Sequence, residues 1–325
     1  MFVRRASLLL VSLFAVLFAA CGGSDGSITT PPSPPPPPPP PPPNTAALPI
    51  TADNAQDITV AVLNAVTSAA DLLGVADVIG LPVLSGPSPG VSKPSASDIH
   101  TVVTACDTGE FTTDWDDADN DFAVSTGDSF STTFDLCFFQ DQDLTVDGDS
   151  TVTDLVVTGD PFTPVAPYGL VATFGFVDLA ATDSVETVTI NGDLDLDISS
   201  DDDVTINAAL GSTLLSVDVD GSLEELSDYL MSQIIDQNAL TQTITAGGTF
   251  ASDVLEGSVT FETLEDFLVM GEDNPSAGQL FISDDMSSVL VTVMDNMNVR
   301  LEIDLDLDGM IDDTIDLTWD ELNLN

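Results

Sequence analysis

From residue 99 onward, the chain consists of short runs in which apolar and polar side chains alternate, and turn residues separate these runs. A period of two with Val, Ile, Thr and Phe at alternating positions is typical of β-strands that bury one face. This pattern predicts strands at residues 101–106, 128–138, 144–146, 150–157, 170–177, 185–190, 193–198, 204–210, 214–218, 240–244, 259–263, 279–282, 289–293, 299–305 and 314–319. Connections this short make neighbouring strands antiparallel.

This number of strands predicts the fold class. A flat open sheet rarely exceeds about ten strands without curling. We therefore expect a mostly β fold, in which an antiparallel meander curls into a half-barrel, a barrel or a sandwich.

Residues 52–74 follow a different, helical period. Ile58, Val62 and Val66 recur at helical spacing, with alanines between them. Thr51 or Asp53 is expected to cap the helix, and Gly74 to end it. Because alanine permits close packing, we expect this single N-terminal helix to cover the concave face of the sheet.

Two segments carry strong local turn or cap signals. Asn191-Gly192, between two alternating runs, is the strongest hairpin signal in the chain. The segment 222–244 has two interpretations. Its start, Ser222-Leu223-Glu224-Glu225, is a helix capping box, whereas Tyr229–Ile235 and Leu240–Ile244 would form a hairpin that continues the meander. The hairpin is favoured.

The N-terminal residues indicate export. Arg4 and Arg5 precede the apolar segment Ala6–Ala20, which ends in small residues before Cys21. This is the order of a signal peptide. The segment is shorter than the about 20 residues that a transmembrane helix needs.

The run Leu17-Phe18-Ala19-Ala20-Cys21 resembles the lipobox of bacterial lipoproteins, although Phe18 stands where that family usually has Leu. The resemblance implies that Cys21 becomes the first mature residue and carries the acyl chains. Several chains on one residue give a stable membrane anchor. Gly22, rather than Asp, follows the cysteine, which implies localisation to the outer membrane of a Gram-negative bacterium.

A spacer follows the anchor. Residues 22–44 contain almost nothing to bury, and Pro31, Pro32 and Pro34–Pro43 favour a polyproline II rod. At about 3.1 Å per residue the rod spans roughly 40 Å. The predicted organisation is a signal peptide at 1–20, a lipidated cysteine and polyproline linker at 21–44, and a β-rich domain at 45–325.

The mature chain is strongly acidic. All 55 acidic residues follow Cys21 and only Lys93 and Arg300 oppose them, so the net charge is −53. This charge excludes nucleic acid as an electrostatic partner. A solvated acidic surface, a set of ligands for divalent cations, and simple solubility all remain as explanations, the first being favoured.

Two cysteines remain for structure. Export permits oxidation, so Cys106 and Cys137 are expected to form a disulfide. Closing a loop of about thirty residues would stabilise the fold by roughly 3 to 4 kcal/mol.

One aspartate run resembles a calcium loop. Asp304, Asp306 and Asp308, with Gly309 and Asp312, follow the front half of an EF-hand or dockerin loop. The twelfth position, which should be a bidentate acid, is Ile315. The favoured interpretation is instead a strand over residues 300–307 with Ile303, Leu305 and Leu307 inward and Asp308-Gly309 as its hairpin turn, because residues 193–197 show the same alternation without such a loop. A similar run, Asp117, Asp119 and Asp121, has Phe122 where glycine is required.

Motifs of catalysis are incomplete. Asp107-Thr108-Gly109 matches an aspartic protease triplet, but no second triplet follows. Gly127-Asp128-Ser129 resembles an esterase motif whose histidine should come late, whereas the single histidine is His100, upstream. We therefore expect no enzyme and no resident cofactor apart from calcium.

The C-terminal part, with Gly-Ser-Val-Thr-Phe-Glu-Thr at 257–263 and Asp306-x-Asp308-Gly309 before Thr318-Trp319, is similar to a group of polyproline-linked bacterial lipoproteins of unassigned function. We expect a non-enzymatic binding or structural protein of the envelope. The alternative is a periplasmic carrier that holds lipid or lipoprotein acyl chains in an apolar concave face. An envelope hydrolase that uses paired carboxylates is a third hypothesis.

Overall fold

The computed structural model describes residues 46–76, 99–119, 124–140, 143–159, 165–271 and 274–322. It contains one helix, α1 (Ala55–Ala76), and fourteen strands. The strands are β1 (Ile99–Ala105), β2 (Thr108–Asp116), β3 (Ser129–Phe139), β4 (Leu144–Thr158), β5 (Tyr168–Thr182), β6 (Thr187–Ser200), β7 (Thr205–Val219), β8 (Ser222–Asp236), β9 (Thr241–Ser252), β10 (Gly257–Met270), β11 (Ala277–Ser283), β12 (Ser288–Val293), β13 (Asn298–Asp304) and β14 (Asp313–Thr318).

The strands form one antiparallel meander in which each strand pairs with the next along the chain. Within the described part of the chain, β1 and β14 do not pair with each other, so the sheet is continuous but open. The mostly β antiparallel fold is confirmed. A closed barrel is excluded, and a sandwich of two separate sheets does not fit a single continuous sheet.

Helix α1 shows that the sheet is curled. It contacts β7 and β8, and also β13. A flat sheet of fourteen strands would be about 62 Å wide at about 4.8 Å per strand, whereas α1, with 22 residues, is about 33 Å long. Buried residues of α1 and of strands β2 to β13 nonetheless form one apolar cluster. The sheet therefore bends around α1, as expected for a half-barrel with a helix on its concave face.

The helix begins later than the sequence predicts. The carbonyl of Thr51 accepts hydrogen bonds from the amides of Asn54 at 3.2 Å and Ala55 at 2.9 Å, and the carbonyl of Asn54 accepts the next one, from the amide of Ile58 at 3.0 Å. The side chain of Asn54 also accepts a bond from the amide of Thr51 at 2.7 Å, as the fourth residue of a capping box does. Thr51, one of the two predicted caps, therefore forms the turn that starts the helix. The buried face of α1 consists of Ala55, Ile58, Val62 and Val66, as the helical spacing predicts.

The core lies on the concave face, where inward side chains alternate with exposed ones along each strand. On β13, for example, Val299, Leu301 and Ile303 are almost fully buried. Buried residues of α1 and of the sheet belong to one continuous apolar cluster. The concave face described here is a packed interior.

Asn191-Gly192 does not form a hairpin. Both residues lie inside β6, which pairs with β5 and β7 on both sides of them. Gly192 has φ +117°, and the β6–β7 register shifts between Gly192 and Asp195. This is a β-bulge, in which an extra residue bends the strand without ending it.

Other predicted turns are bulges of the same kind. Gly148, with φ +105°, lies inside β4 and joins two strands that the sequence predicts separately. The predicted strands 204–210 and 214–218 are likewise one strand, β7. The contested segment 222–244 forms the favoured hairpin, with β8 and β9 longer than predicted. Strand β2 is not predicted from the sequence.

No helix in the described ranges is both long enough and apolar enough to cross a membrane.

Candidate functional site

Residues 1–45, which include Cys21, the proline run and the predicted signal peptide, lie outside the described part of the chain. The candidate sites that the structure places all lie in the β domain.

Cys106 and Cys137 form a disulfide with a Cα–Cα distance of 5.5 Å. Cys106 follows β1, and Cys137 lies on β3 with no exposed surface. The bond therefore fastens the β1–β2 turn to the third strand. Beside it, the amide of Asp107 donates to the carbonyl of Phe138 at 3.0 Å. The pairing expected from the two cysteines is present, and it holds this end of the sheet together.

The calcium-like run forms a loop between β13 and β14. Strand β13 ends at Asp304, which is buried, and residues 305–312 form no strand. Leu305 and Leu307 are 42% and 44% exposed. The favoured interpretation, in which a strand continues to Leu307 with both leucines inward, is therefore wrong. The hydrophobic alternation stops at Ile303, and an aspartate takes the buried position.

Backbone amides wrap around the carboxylate of Asp304. Its Oδ2 accepts a hydrogen bond from the amide of Gly309 at 2.8 Å, and its Oδ1 accepts one from the amide of Asp306 at 3.3 Å. Gly309 has φ +81°, a conformation that favours glycine. Asp312 closes the loop, because its Oδ2 accepts from the amide of Leu305 at 2.8 Å.

This wrapping also sets the charge of Asp304. Desolvation by burial raises the pKa of this carboxyl, but backbone amides of residues 306–309 donate hydrogen bonds that lower it, and the net pKa lies below the ordinary value. Asp304 is therefore held in its ionised form.

The loop gathers three carboxylates. One oxygen each from Asp304, Asp306 and Asp312 lie within 4.8 Å of one another. Asp308 is outside this group; its Oδ1 instead accepts from the amide of Met310 at 2.8 Å. Carboxylate oxygens are ligands that Ca²⁺ accepts, and each of these three retains lone pairs beyond those that the backbone amides use. Ca²⁺ takes about six to eight oxygen ligands, so the three carboxylates would supply only part of its coordination.

The other motifs have structural roles in the fold. Asp107 accepts a bond from the amide of Gln140 at 2.7 Å, which joins two turns. Asp128 is buried and accepts from the amides of Ala118 and Ser125 at 2.9 and 2.8 Å. Desolvation raises the pKa of Asp128 despite these bonds. The ring of His100 lies beside that of Trp115, with centroids 5.7 Å apart and planes tilted by 51°.

The second aspartate run is only partly described. Asp117 is buried and Asp119 is exposed, whereas Asp121 lies outside the described residues.

Sequence reasoning missed two acids that point into the concave face. Glu186 is 6% exposed, and Glu224 belongs to the segment whose start resembles a helix cap. In the strand that actually forms, Glu224 lies two residues before Leu226 and shares its face. Alternation counted back from the buried Tyr229 and Met231 would place Glu225 inward. The register shift between Ser227 and Leu230 reverses this phase and turns Glu224 inward instead, which the sequence pattern does not reveal.

No protein-family model matches this chain, and neither a curated protein nor a solved structure is significantly similar to it.

Proposed function

We propose that this chain is a non-enzymatic lipoprotein of the Gram-negative outer membrane. Cys21 carries the lipid, the proline rod separates the β domain from the bilayer, and the domain binds a partner or forms part of the envelope structure. Calcium stabilises the loop that contains Asp304, Asp306 and Asp312. The support for the anchor is the lipobox-like sequence, and the support for the domain's role is the packing of its concave face.

The packing is the observation that carries the proposal. A carrier needs a cavity as wide as an acyl chain, and side chains that line such a cavity remain accessible. In the half-barrel, the inward residues Leu280, Val291 and Leu301 are 0% exposed. The inner face around them is filled by protein, which favours a binding or structural domain over a lipid carrier.

A second observation supports a domain carried on a tether. The first described residues are fixed to one end of the sheet: the amide of Leu48 donates to the carbonyl of Ser258 at 3.0 Å. The amide of Ile50 donates to Asp284 Oδ2 and Ser287 Oγ, both at 2.8 Å. Gly257 permits this contact, because a Cβ there would lie 2.8 Å from the carbonyl oxygen of Ala46. The linker therefore enters a firmly held part of the domain.

The anchor is tested by expressing the full chain in a Gram-negative host and analysing the mature N-terminus by mass spectrometry. We expect an acylated Cys21 and recovery in the outer-membrane fraction. Cys21→Ala should abolish acylation, and Gly22→Asp should move the protein to the inner membrane while leaving acylation intact. An unmodified mature protein in the soluble periplasmic fraction would contradict the anchor.

The same preparation tests the domain's role. Lipids are extracted from the purified chain after thorough exchange into a neutral detergent. We expect no lipid at a stoichiometric ratio to protein beyond the acyl chains bonded to Cys21. One noncovalent acyl lipid per chain would instead support the carrier.

A further inference from the structure

Two carboxylates share the concave face near the end of the sheet that carries the β5–β6 and β7–β8 turns. Glu224 pairs across strands with Val217, which pairs with the buried Ile190. Cross-strand partners point to the same face. Glu186 comes two residues before the buried Val188 and continues its inward row.

Val219 lies between the two acids. It pairs with Val188 on one side and with Ser222 on the other. Glu186 lies two residues from Val188 toward the β5–β6 turn, and Glu224 lies two residues from Ser222 into the sheet, so the two acids are diagonal neighbours of Val219 in opposite directions. Diagonal neighbours in a sheet lie about 7 to 8 Å apart, so the two backbones are about 15 Å apart with Val219 between them. To hold one cation, both side chains extend toward Val219 from opposite sides.

Neither carboxylate is compensated within the described residues. The Oε1 of Glu186 is buried and has no hydrogen-bond partner. The side chain of Glu224 makes no hydrogen bond or ion pair within the described residues, and burial raises the pKa of its carboxyl. A buried carboxylate without a donor is costly, so a compensating cation would be bound favourably.

The chain itself does not provide that cation in the described ranges. Arg300 donates from Nε to Asp316 Oδ1 at 2.7 Å, on the distant β13–β14 pair. Lys93, the other basic residue of the mature chain, lies outside the described residues. Nearby acids add negative charge: Asp183 Oδ1 accepts from the amide of Glu186 at 2.8 Å, and Asp220 Oδ1 from the amide of Thr187 at 3.0 Å.

The geometry favours an organic cation over a metal ion. Within the described ranges, only Asp304, Asp306 and Asp312 bring three ligand atoms to metal-binding distance. Between the two acids the inward side chains of β7 are apolar, Val217 and Val219. A hydrocarbon stem can rest on this surface while its charged end lies between the carboxylates.

We propose that Glu186 and Glu224 form a binding site for an ammonium or guanidinium group carried on an apolar stem, with Val219 beneath the stem. The ligand is either a small alkylamine or the lysine or arginine side chain of a peptide. This inference goes beyond the proposed function and does not depend on the lipid anchor.

The test uses the full-length chain in a neutral detergent near pH 7, with two probes, n-butylammonium and the peptide acetyl-Ala-Ala-Lys-Ala-Ala-amide. Binding is measured by isothermal titration calorimetry in about 0.5 M NaCl, where the Debye length falls to about 4 Å and general attraction to an acidic protein is screened. n-Butanol serves as the uncharged probe. The variants are Glu186→Gln and Glu224→Gln, with Glu262→Gln on the exposed face of β10 as the matched control.

We expect saturable binding with one site per chain, and at least a tenfold loss of affinity in each of the two inward variants. The control variant should change affinity less than twofold, and n-butanol should not bind. Binding of n-butylammonium alone identifies a small amine as the ligand, and binding of the peptide alone identifies a protein side chain. Absence of saturable binding by either probe overturns the proposal, as does an equal effect of all three substitutions.

Thermal unfolding of the same variants tests whether a loss of binding is caused by a loss of folding. Replacing an uncompensated buried carboxylate by its neutral isostere should leave the Tm unchanged or raise it. A fall in Tm for both Glu186→Gln and Glu224→Gln would show that the carboxylates already have partners in the fold, and would also overturn the proposal.

Discussion

Asn191-Gly192 and Asp308-Gly309 are similar dipeptides with opposite outcomes. In both, the glycine adopts a positive φ, +117° for Gly192 and +81° for Gly309. The first pair lies inside β6 and the second lies in the loop between β13 and β14. A residue pair that signals a tight hairpin turn therefore produces a bulge in one place and a carboxylate-binding loop in the other.

The surroundings explain the difference. On either side of Gly192 the strand retains its buried residues, Ile190 and Leu194, and its partners on both sides. The backbone of β7 approaches so closely that a Cβ on Gly192 would lie 2.0 Å from the carbonyl oxygen of Leu214. Around Gly309 nothing lies within 4 Å of such a Cβ, and its amide binds Asp304. In the bulge, Gly192 permits β7 to pack closely against β6. In the loop, Gly309 adopts the conformation in which its amide donates to the carboxylate of Asp304.

The largest expected effect is that of Gly192→Ala. The new methyl group would meet backbone atoms, which cannot rotate away, and the positive φ adds strain. We expect a loss of about 3 kcal/mol or more in the free energy of unfolding, measured by urea denaturation.

The control for that variant is Gly221→Ala in the β7–β8 turn. Gly221 also has a positive φ, +85°, but nothing lies within 4 Å of its Cβ position. If both variants lose the same amount of stability, the close approach of β7 to Gly192 is not what distinguishes the bulge.

Gly309→Ala should have a smaller effect. Only the left-handed backbone conformation opposes the methyl group, so we expect a loss of about 1 kcal/mol in the same urea assay. The double variant Gly309→Ala with Asp304→Asn should lose less stability than the sum of the two single losses, because both changes disturb the same hydrogen bond. Strict additivity would show that the Gly309–Asp304 bond does not stabilise the loop.

The smallest expected effect is a pH dependence of the free energy of unfolding that arises from Asp304 in the loop. The pKa of Asp304 is lower in the folded chain than its ordinary value of 3.8. The ionised carboxylate therefore stabilises the fold above the unfolded pKa, and this stability is lost as the pH falls through the folded pKa.

The comparison is made by urea unfolding of the native chain, Asp304→Asn and Gly192→Ala between about pH 6 and pH 2. The stability gap between the native chain and Asp304→Asn should narrow below about pH 4, whereas the gap for Gly192→Ala should stay constant. A constant gap for Asp304→Asn would refute the role of ionisation.

The fold class follows from the sequence because alternation of apolar and polar residues is a direct record of a half-buried sheet. The helix is equally clear, since Ile58, Val62 and Val66 repeat at its period. The disulfide follows from having only two cysteines beyond Cys21 in a chain whose N-terminal residues predict export.

The lengths of the strands could not be predicted in the same way. Gly148 and Gly192 look like turns because local sequence does not reveal that a neighbouring strand continues past them. Strand β2 is weak in pattern, because its buried residues Phe111 and Trp115 stand four positions apart among polar residues. Pairing with β1 and β3 makes it a strand.

The candidate loop was predicted in its residues but not in its geometry. The spacing of Asp304, Asp306 and Asp312 points to a cation loop, but the apolar alternation at Ile303, Leu305 and Leu307 favours a strand, and that favoured interpretation is wrong. Hydrogen bonds from backbone amides to Asp304 decide between them, and such bonds depend on a conformation that local residue type does not fix.

The most direct test of the proposed calcium-stabilised loop is thermal unfolding of the full chain in calcium, in magnesium and in sodium chloride at equal ionic strength. At about 2 mM calcium, above the dissociation constants of many extracellular sites, we expect Tm to rise by about 2 to 5 °C. Magnesium and sodium should give smaller rises, and Asp306→Asn should remove the calcium-specific part. Equal rises in all three salts would contradict the account, because they would mean that cations only screen the acidic surface.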